Sequence, residues 1–392
     1  MKTIAESAQE MQKELVEVRN WLHQNPELGF KEVKTTRYII DYLEKLGIEV
    51  VAWGGETGVI GLLKGIADGP VVALRGDIDG LPIQEQNECA YRSQTDGLMH
   101  ACGHDVHTAW MLGAAALLAE RRNELKGGVK FVFQPAEELV SGARAMVDKG
   151  VLDNPRVDAI FGVHNNPNIS VGQIGLKGGP LMASTDTTFI KVRGKGGHGA
   201  MPHKANDPIM AAAAIIQGLQ TLVSRKVDPL EPVVVSFGSI HGGAANNVIP
   251  EFVEMTGTVR TFNPEVRAEM PAMMRKLVEE IASAYGTEAE LVYREDLPTV
   301  INSDELAAWA RAPLNKVFGE NGVICPTLST GAEDFAVFLE DVPGVFLFIG
   351  VGNEAKGIVN QWHNPRFDID EDALPLGAAA LAQIAYDWVN KQ

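Results

Sequence analysis

Cysteine is scarce in this chain of 392 residues: three are present, Cys89, Cys102 and Cys325. So odd and sparse a set argues against a disulfide framework and suits a reducing compartment. No apolar run approaches the length that spans a bilayer. The opening MKTIAESAQEMQKELVEVRN carries charge throughout and lacks the apolar centre of a signal peptide. A cytoplasmic protein with no membrane partner is therefore expected. Basic residues are in deficit, 34 Lys and Arg against 51 Asp and Glu, and the net charge of −17 disfavours nucleic acid, which basic surfaces bind. For small substrates the balance decides nothing, since an anionic one needs only a local basic site. Low-complexity tracts and repeats are missing as well. What remains, 45% apolar and 22% charged, is the composition of a globular protein long enough for two ordinary domains or one large one with an insertion.

Hydrophobic periodicity supplies the framework. Ala8, Met11, Leu15, Val18 and Leu22 recur at helical spacing and predict an amphipathic N-terminal helix. A second helix is expected from Thr36 through Ile39, Ile40, Leu43 and Leu46, with Gly47 placed to end it. Short apolar runs follow at 71–74, 129–133, 159–163 and 345–349, and an Ala- and Leu-rich helix is expected over 107–121. Buried strands alternating with helices predict an α/β domain, its central sheet flanked by helices. From 187 to 293 the rhythm changes to strand, helix, strand, strand, helix, strand, the second helix running through Pro271. That βαββαβ order is ferredoxin-like. The expected organisation is an α/β domain of residues 1–184 and 296–392 with an inserted α+β domain of residues 185–295.

Chemistry-bearing residues gather where the predicted strands end, which is where α/β sheets place ligands. VVAL is followed by Arg75, Asp77 and Asp79; KFVFQ by Pro-Ala-Glu137-Glu138; AIFGV by His164; and the last apolar run leads on to Trp362-His363. The segment His100-Ala-Cys102-Gly-His104-Asp105-Val-His107 opens a predicted helix, and its thiol, imidazoles and carboxylates form a donor set suited to zinc or a neighbouring first-row metal. If one of two adjacent glutamates binds a metal, the other is free to move a proton between water and a leaving nitrogen. Taken singly each residue has a plainer explanation: a solvated acid pair, a small buried thiol, a hydrogen-bonded histidine. The joint arrangement favours a metal-dependent hydrolase.

In order along the chain stand HQNPELGF, HACGHD, PAEE, GVHNNP, GKGGHGAMPH, NVIP followed by GTVR, GAEDF and WHNPRFDIDE. Together they resemble the aminoacylase, hippurate hydrolase and auxin-conjugate hydrolase branch of the dinuclear metallo-carboxypeptidase and aminoacylase family. The resemblance implies a metallopeptidase-like fold and cleavage of the amide bond of N-acyl amino acids (N-acetyl, N-benzoyl or indole-acetyl). It implies two divalent ions, Mn or Zn with Co or Ni as alternatives, bridged by Cys102 and completed by His104, Glu138, His164 and His363. Glu137 takes the role of general base. The inserted domain is implied to act as lid and to pair subunits into a homodimer or a higher assembly, with His198 reaching the partner's site to steady an oxyanion. Asn247, Arg260 and Gly331 match substrate-binding positions, the first two on the substrate's carboxylate. Asp77 and Asp105 are candidates for orienting ligands. Peptidase relatives bridge their metals with an aspartate and carry a His where Arg75 stands, so Cys102 and Arg75 favour the acyl-amino-acid branch. A dipeptidase or carboxypeptidase on the same scaffold, and a non-catalytic dimeric metal- or ligand-binding protein, are the alternatives.

Overall fold

The computed structural model describes residues 2–391. They form two compact units: one comprises the chain up to Gly179, Ile301–Thr327 and the chain from Glu333 onward, and the other comprises Pro180–Val300 and Leu328–Ala332.

The first unit is built on an eight-stranded mixed sheet. Its order is Glu49–Val51, Val59–Lys64, Gly128–Gln134, Val71–Asp77, Ala159–Ser170, Gly344–Gly352, Ile174–Gly175 and Val323–Ile324. The four predicted apolar runs are the four central strands. They are mutually parallel, in the order Gly128–Gln134, Val71–Asp77, Ala159–Ser170, Gly344–Gly352. Three of them are buried at every position, as expected of strands covered on both faces. Helix His104–Glu120 carries apolar residues all round and is buried from His104 to Leu118. It packs against Ala373–Val389 and Gln12–Gln24, so no polar face is needed. The helix begins three residues earlier than periodicity predicts, because its first turn is polar yet buried. At the N-terminus, the single predicted helix is two, Ile4–Glu10 and Gln12–Gln24, separated at Met11.

The second unit carries a four-stranded antiparallel sheet in the order Val233–Gly242, Phe252–Thr261, Thr185–Arg193, Glu288–Leu297. Helices Pro208–Arg225 and Pro264–Ala284 supply the apolar face that closes its own core. This is the ferredoxin-like βαββαβ arrangement, with the second helix uninterrupted at Pro271. Among the described residues no helix is long and apolar enough to cross a membrane, and all three cysteines are free.

Candidate functional site

The carboxyl ends of the central strands converge on one side-chain cluster, all of it within the first unit. Cys102 Sγ lies 3.5 Å from His164 Nε2. His164 donates its Nδ1 hydrogen to the carbonyl of Asn165 at 2.7 Å, which leaves the Nε2 lone pair turned to the thiol. Burial, then His107 and His104, hold this imidazole well below its ordinary pKa, so it stays neutral. His104 is fixed the same way: its Nδ1 meets Asp79 Oδ1 at 3.1 Å, while the other oxygen of Asp79 accepts the Glu138 amide at 3.1 Å. One carboxylate thus sets both a histidine and the backbone of the PAEE turn. Glu138 Oε1 stands 3.4 Å from His363 Nε2 and 4.0 Å from His104 Nε2.

Donor atoms of Cys102, His104 and His164 lie within 4.8 Å of one another, as do those of Cys102, Glu138 and His363. Cys102 is common to both groups. Three observations say that this cluster fits cations. His104 Nε2 is buried without a hydrogen-bond partner and Glu138 Oε1 has only the loose 3.4 Å pairing with His363, and a buried group left unsatisfied costs roughly 1–3 kcal/mol. Asp77, Asp79 and Glu138 outweigh the effect of burial and push His104 up to about 10. Burial, with Glu138, Glu137 and Asp77 around it, drives the Cys102 thiol well up, so a thiolate there needs a cation. The donor set of thiolate, neutral imidazole and carboxylate is that of zinc and neighbouring first-row ions.

Glu137 stands beside the two groups and belongs to a third, with Glu333 and Asp334. Burial, then Glu333, Asp334 and Glu138, raise its carboxyl well above the ordinary range. Arg75 compensates part of this charge, donating to Asp77 and Asp334 at 2.8 Å and pairing with Glu333 at 2.9 Å. Asp77 in turn accepts His107 Nδ1 at 2.5 Å, and His107 Nε2 accepts the Asn165 amide at 2.9 Å. Asn165 donates to the Cys102 carbonyl at 2.6 Å and accepts from Trp362 Nε1 at 3.0 Å. Gly103 makes this closure possible: its φ is +85°, and a Cβ there would stand 2.2 Å from Asn165 Nδ2.

Asp105, expected to orient a ligand, faces the other way. Its carboxylate accepts Arg19 Nε at 2.8 Å and His23 Nδ1 at 2.7 Å, tying the N-terminal helix to the helix that begins at His104. Asp79 and Asn165 orient the cluster most directly, and neither was assigned that role from sequence. Asp79 was visible there as a strand-end acid; Asn165, inside GVHNNP, gave no separate signal.

In the second unit, His198 and Asn247 come together. The strand Gly197–His198 pairs with Val248–Ile249, and the Gly199 amide donates to the Asn247 carbonyl at 2.8 Å. Both residues are exposed. Arg260 is half-buried on Phe252–Thr261, where burial lowers its pKa against Asp186 and Asp296. Gly331 belongs to Leu328–Ala332, its amide donating to Ser329 Oγ at 3.1 Å and its carbonyl accepting the Ala183 amide.

Comparison with known proteins gives this chain close relatives. Residues 73–387 match the sequence profile of peptidase family M20/M25/M40. An N-acetylcysteine deacetylase of Bacillus subtilis is 46% identical over 377 residues, 95% of this chain and 96% of that protein. A protein of Saccharolobus solfataricus named thermostable carboxypeptidase 2 is 38% identical over 381 residues, 96% of each chain. Among solved structures, a Bacillus subtilis protein described as a dinuclear metal-binding peptidase superposes with a TM-score of 0.87 at 42% identity, covering 98% of this chain and 99% of that one. The chain belongs to peptidase family M20/M25/M40.

Proposed function

We propose that this protein is a two-metal amidohydrolase that cleaves N-acyl amino acids to a carboxylic acid and a free amino acid. The observation that carries the reading is the sharing of Cys102 Sγ by two donor groups, with the buried acid Glu137 alongside. In this reading Cys102 would be shared by the two ions, with His104 and His164 holding one and Glu138 and His363 the other. Manganese and zinc suit the donors, with cobalt and nickel as alternatives. Bound there, two divalent ions supply Lewis-acid polarisation of the amide carbonyl and acidify a water molecule. Glu137 takes the proton from the attacking water as its oxygen bonds to the carbonyl carbon, then delivers it to the leaving nitrogen as the C–N bond breaks. The raised pKa of Glu137 suits a group that must hold a proton between those two steps. Asn247, Arg260 and Gly331 bind the substrate, Arg260 pairing with its carboxylate.

The assembly in this reading is a homodimer or a multiple of it, and the compartment is the cytoplasm. Val233–Gly242 is an edge strand that leaves Val234 and Ile240 exposed, the kind of edge that proteins cover. His198 of one subunit steadies the oxyanion formed at its partner's site. His198→Ala alone and Glu137→Gln alone are then both inactive, whereas mixed dimers regain activity because one site in each is intact. Subunit exchange without any recovery would remove the cross-subunit role.

Amino-acid release from N-acetylcysteine, other N-acetyl amino acids, hippurate, indole-acetyl amino acids and dipeptides, with manganese- or zinc-loaded protein, tests the reaction class. Cleavage confined to dipeptides would make it a peptidase; no cleavage of any substrate by metal-loaded protein would leave a binding protein. Cys102→Ala should lower bound metal from two ions per chain, read by elemental analysis. Two ions retained would dismiss the bridge.

A further inference from the structure

The HQNPELGF motif, residues 23–30, has no part in the chemistry above, yet its neighbourhood touches three arms of the site. His23 bonds to Asp105, next to His104. The carbonyl of Glu27 accepts the Gly80 amide at 2.7 Å, next to Asp79. Just beyond the motif, Glu32 is fully buried, and its Oε1 accepts the amide of Ala136 at 2.9 Å.

Ala136 immediately precedes Glu137 and holds a φ of +55°. An alanine in the left-handed region costs about 1–2 kcal/mol, and such strain persists only where the surroundings fix it. Pro135 before it has no N–H to contribute. The Ala136 carbonyl accepts the Gly142 amide at 3.2 Å, so the turn is anchored on one side by its own backbone and on the other by Glu32. Gly29 lets the motif reach the turn, because a Cβ there would lie 2.9 Å from Leu139 Cδ1 and 3.0 Å from Ala136 Cα.

We infer that Glu32 is a positioning residue for the general base: its carboxyl group holds Ala136 left-handed and thereby sets the direction of the Glu137 side chain. This rests on the assignment of Glu137 above. What Glu32 supplies is an acceptor oxygen at a fixed place, which an amide supplies equally well. Glu32→Gln should therefore behave like the wild type, and Glu32→Leu, similar in volume but without an acceptor, should not.

The test compares these two variants with the wild type, metal-loaded, on the best N-acetyl amino acid of the panel. Alongside kcat and KM run metal content and hydrogen exchange of residues 134–142 by mass spectrometry. Glu32→Leu should lose about 10- to 100-fold in kcat, the scale on which small misplacements act, with KM and two bound ions retained and exchange at Ala136 accelerated. Glu32→Gln should restore both readouts. The inference is overturned if Glu32→Gln falls as far as Glu32→Leu, if Glu32→Leu loses metal in step with activity, or if exchange is unaltered. Should Glu32→Leu not fold, Glu32→Gln decides: wild-type kcat and exchange support the anchor, and loss of either overturns it. A wild type silent on every substrate would instead overturn the amidohydrolase reading. Exchange in the same samples would still decide whether Glu32 anchors the turn.

Discussion

Glu137→Gln should remove turnover while leaving two metal ions and substrate affinity in place. The substitution keeps the volume and the hydrogen-bonding shape of the side chain but can neither accept the proton of water nor return it to nitrogen. Proton transfer by a positioned group contributes about 10²–10⁴-fold, and a loss of that order in kcat is expected. Metal binding should survive, because Glu137 is not among the five proposed ligands. Affinity for substrate should survive or tighten, since an uncharged amide replaces an acid crowded by Glu333, Asp334 and Glu138. The measurement is kcat on an N-acetyl amino acid, paired with elemental analysis and with calorimetry of the uncleaved substrate. Turnover within about tenfold of the wild type would give the base to another residue. The sign of the pH dependence follows from the same environment. A base works only when deprotonated, so wild-type activity should fall as pH drops and Glu137 takes up a proton, which burial and the neighbouring carboxylates favour.

Much of the scaffold was legible because parallel strands buried on both faces read as near-continuous apolar runs, broken here only by paired polar residues such as Lys130 and Arg75. The runs at 71–74, 129–133, 159–163 and 345–349 could be little else. Acids and histidines after such runs then marked the site, although His164 lies inside Ala159–Ser170 and not at its end, the strand running on six residues past it. Local helix limits were less legible. His104–Glu120 starts at a left-handed Gly103 with no side-chain cap, so no capping residue marks it. The break at Met11 carries neither Gly nor Pro. Least legible were contacts across long separations: Asp79 with His104 and Glu138, Glu32 with Ala136, and Arg75 with Asp334 259 residues away. No periodicity encodes these. Asp105 shows the cost of reading by proximity, for its place beside His104 suggested support of that ligand, whereas its partners are Arg19 and His23.

Arg75→Met should be the most destabilising single change near the site. The guanidinium is fully buried and holds four groups: Gln134 through Nε at 2.8 Å, Asp77 through Nη1, and Asp334 and Glu333 through Nη2. Methionine fills much of the volume and leaves Glu333 and Asp334 in a dry interior without their cation, while Asp77 keeps His104 and His107. Breaking a buried pair in this way costs about 3–5 kcal/mol. Arg75→Lys should rescue little, because a single ammonium cannot serve acceptors spread around a planar fork. The pH dependence separates lost charge from lost shape. Burial pushes Glu333 up to about 8 and Asp334 up to about 6, with Arg75 pulling each back down. A carboxyl group raised in the folded state gives stability that is full below its unfolded value, roughly 4, and is lost as pH rises through the folded one. Without Arg75 both groups climb further, so the deficit of the variant should be largest above pH 8 and shrink toward pH 5, where protonation removes the uncompensated charge. Urea unfolding of metal-free protein at the two pH values measures it. A deficit equal at both would mean that Arg75 acts by filling space, and the carboxylates around Glu137 would then need another source of compensation.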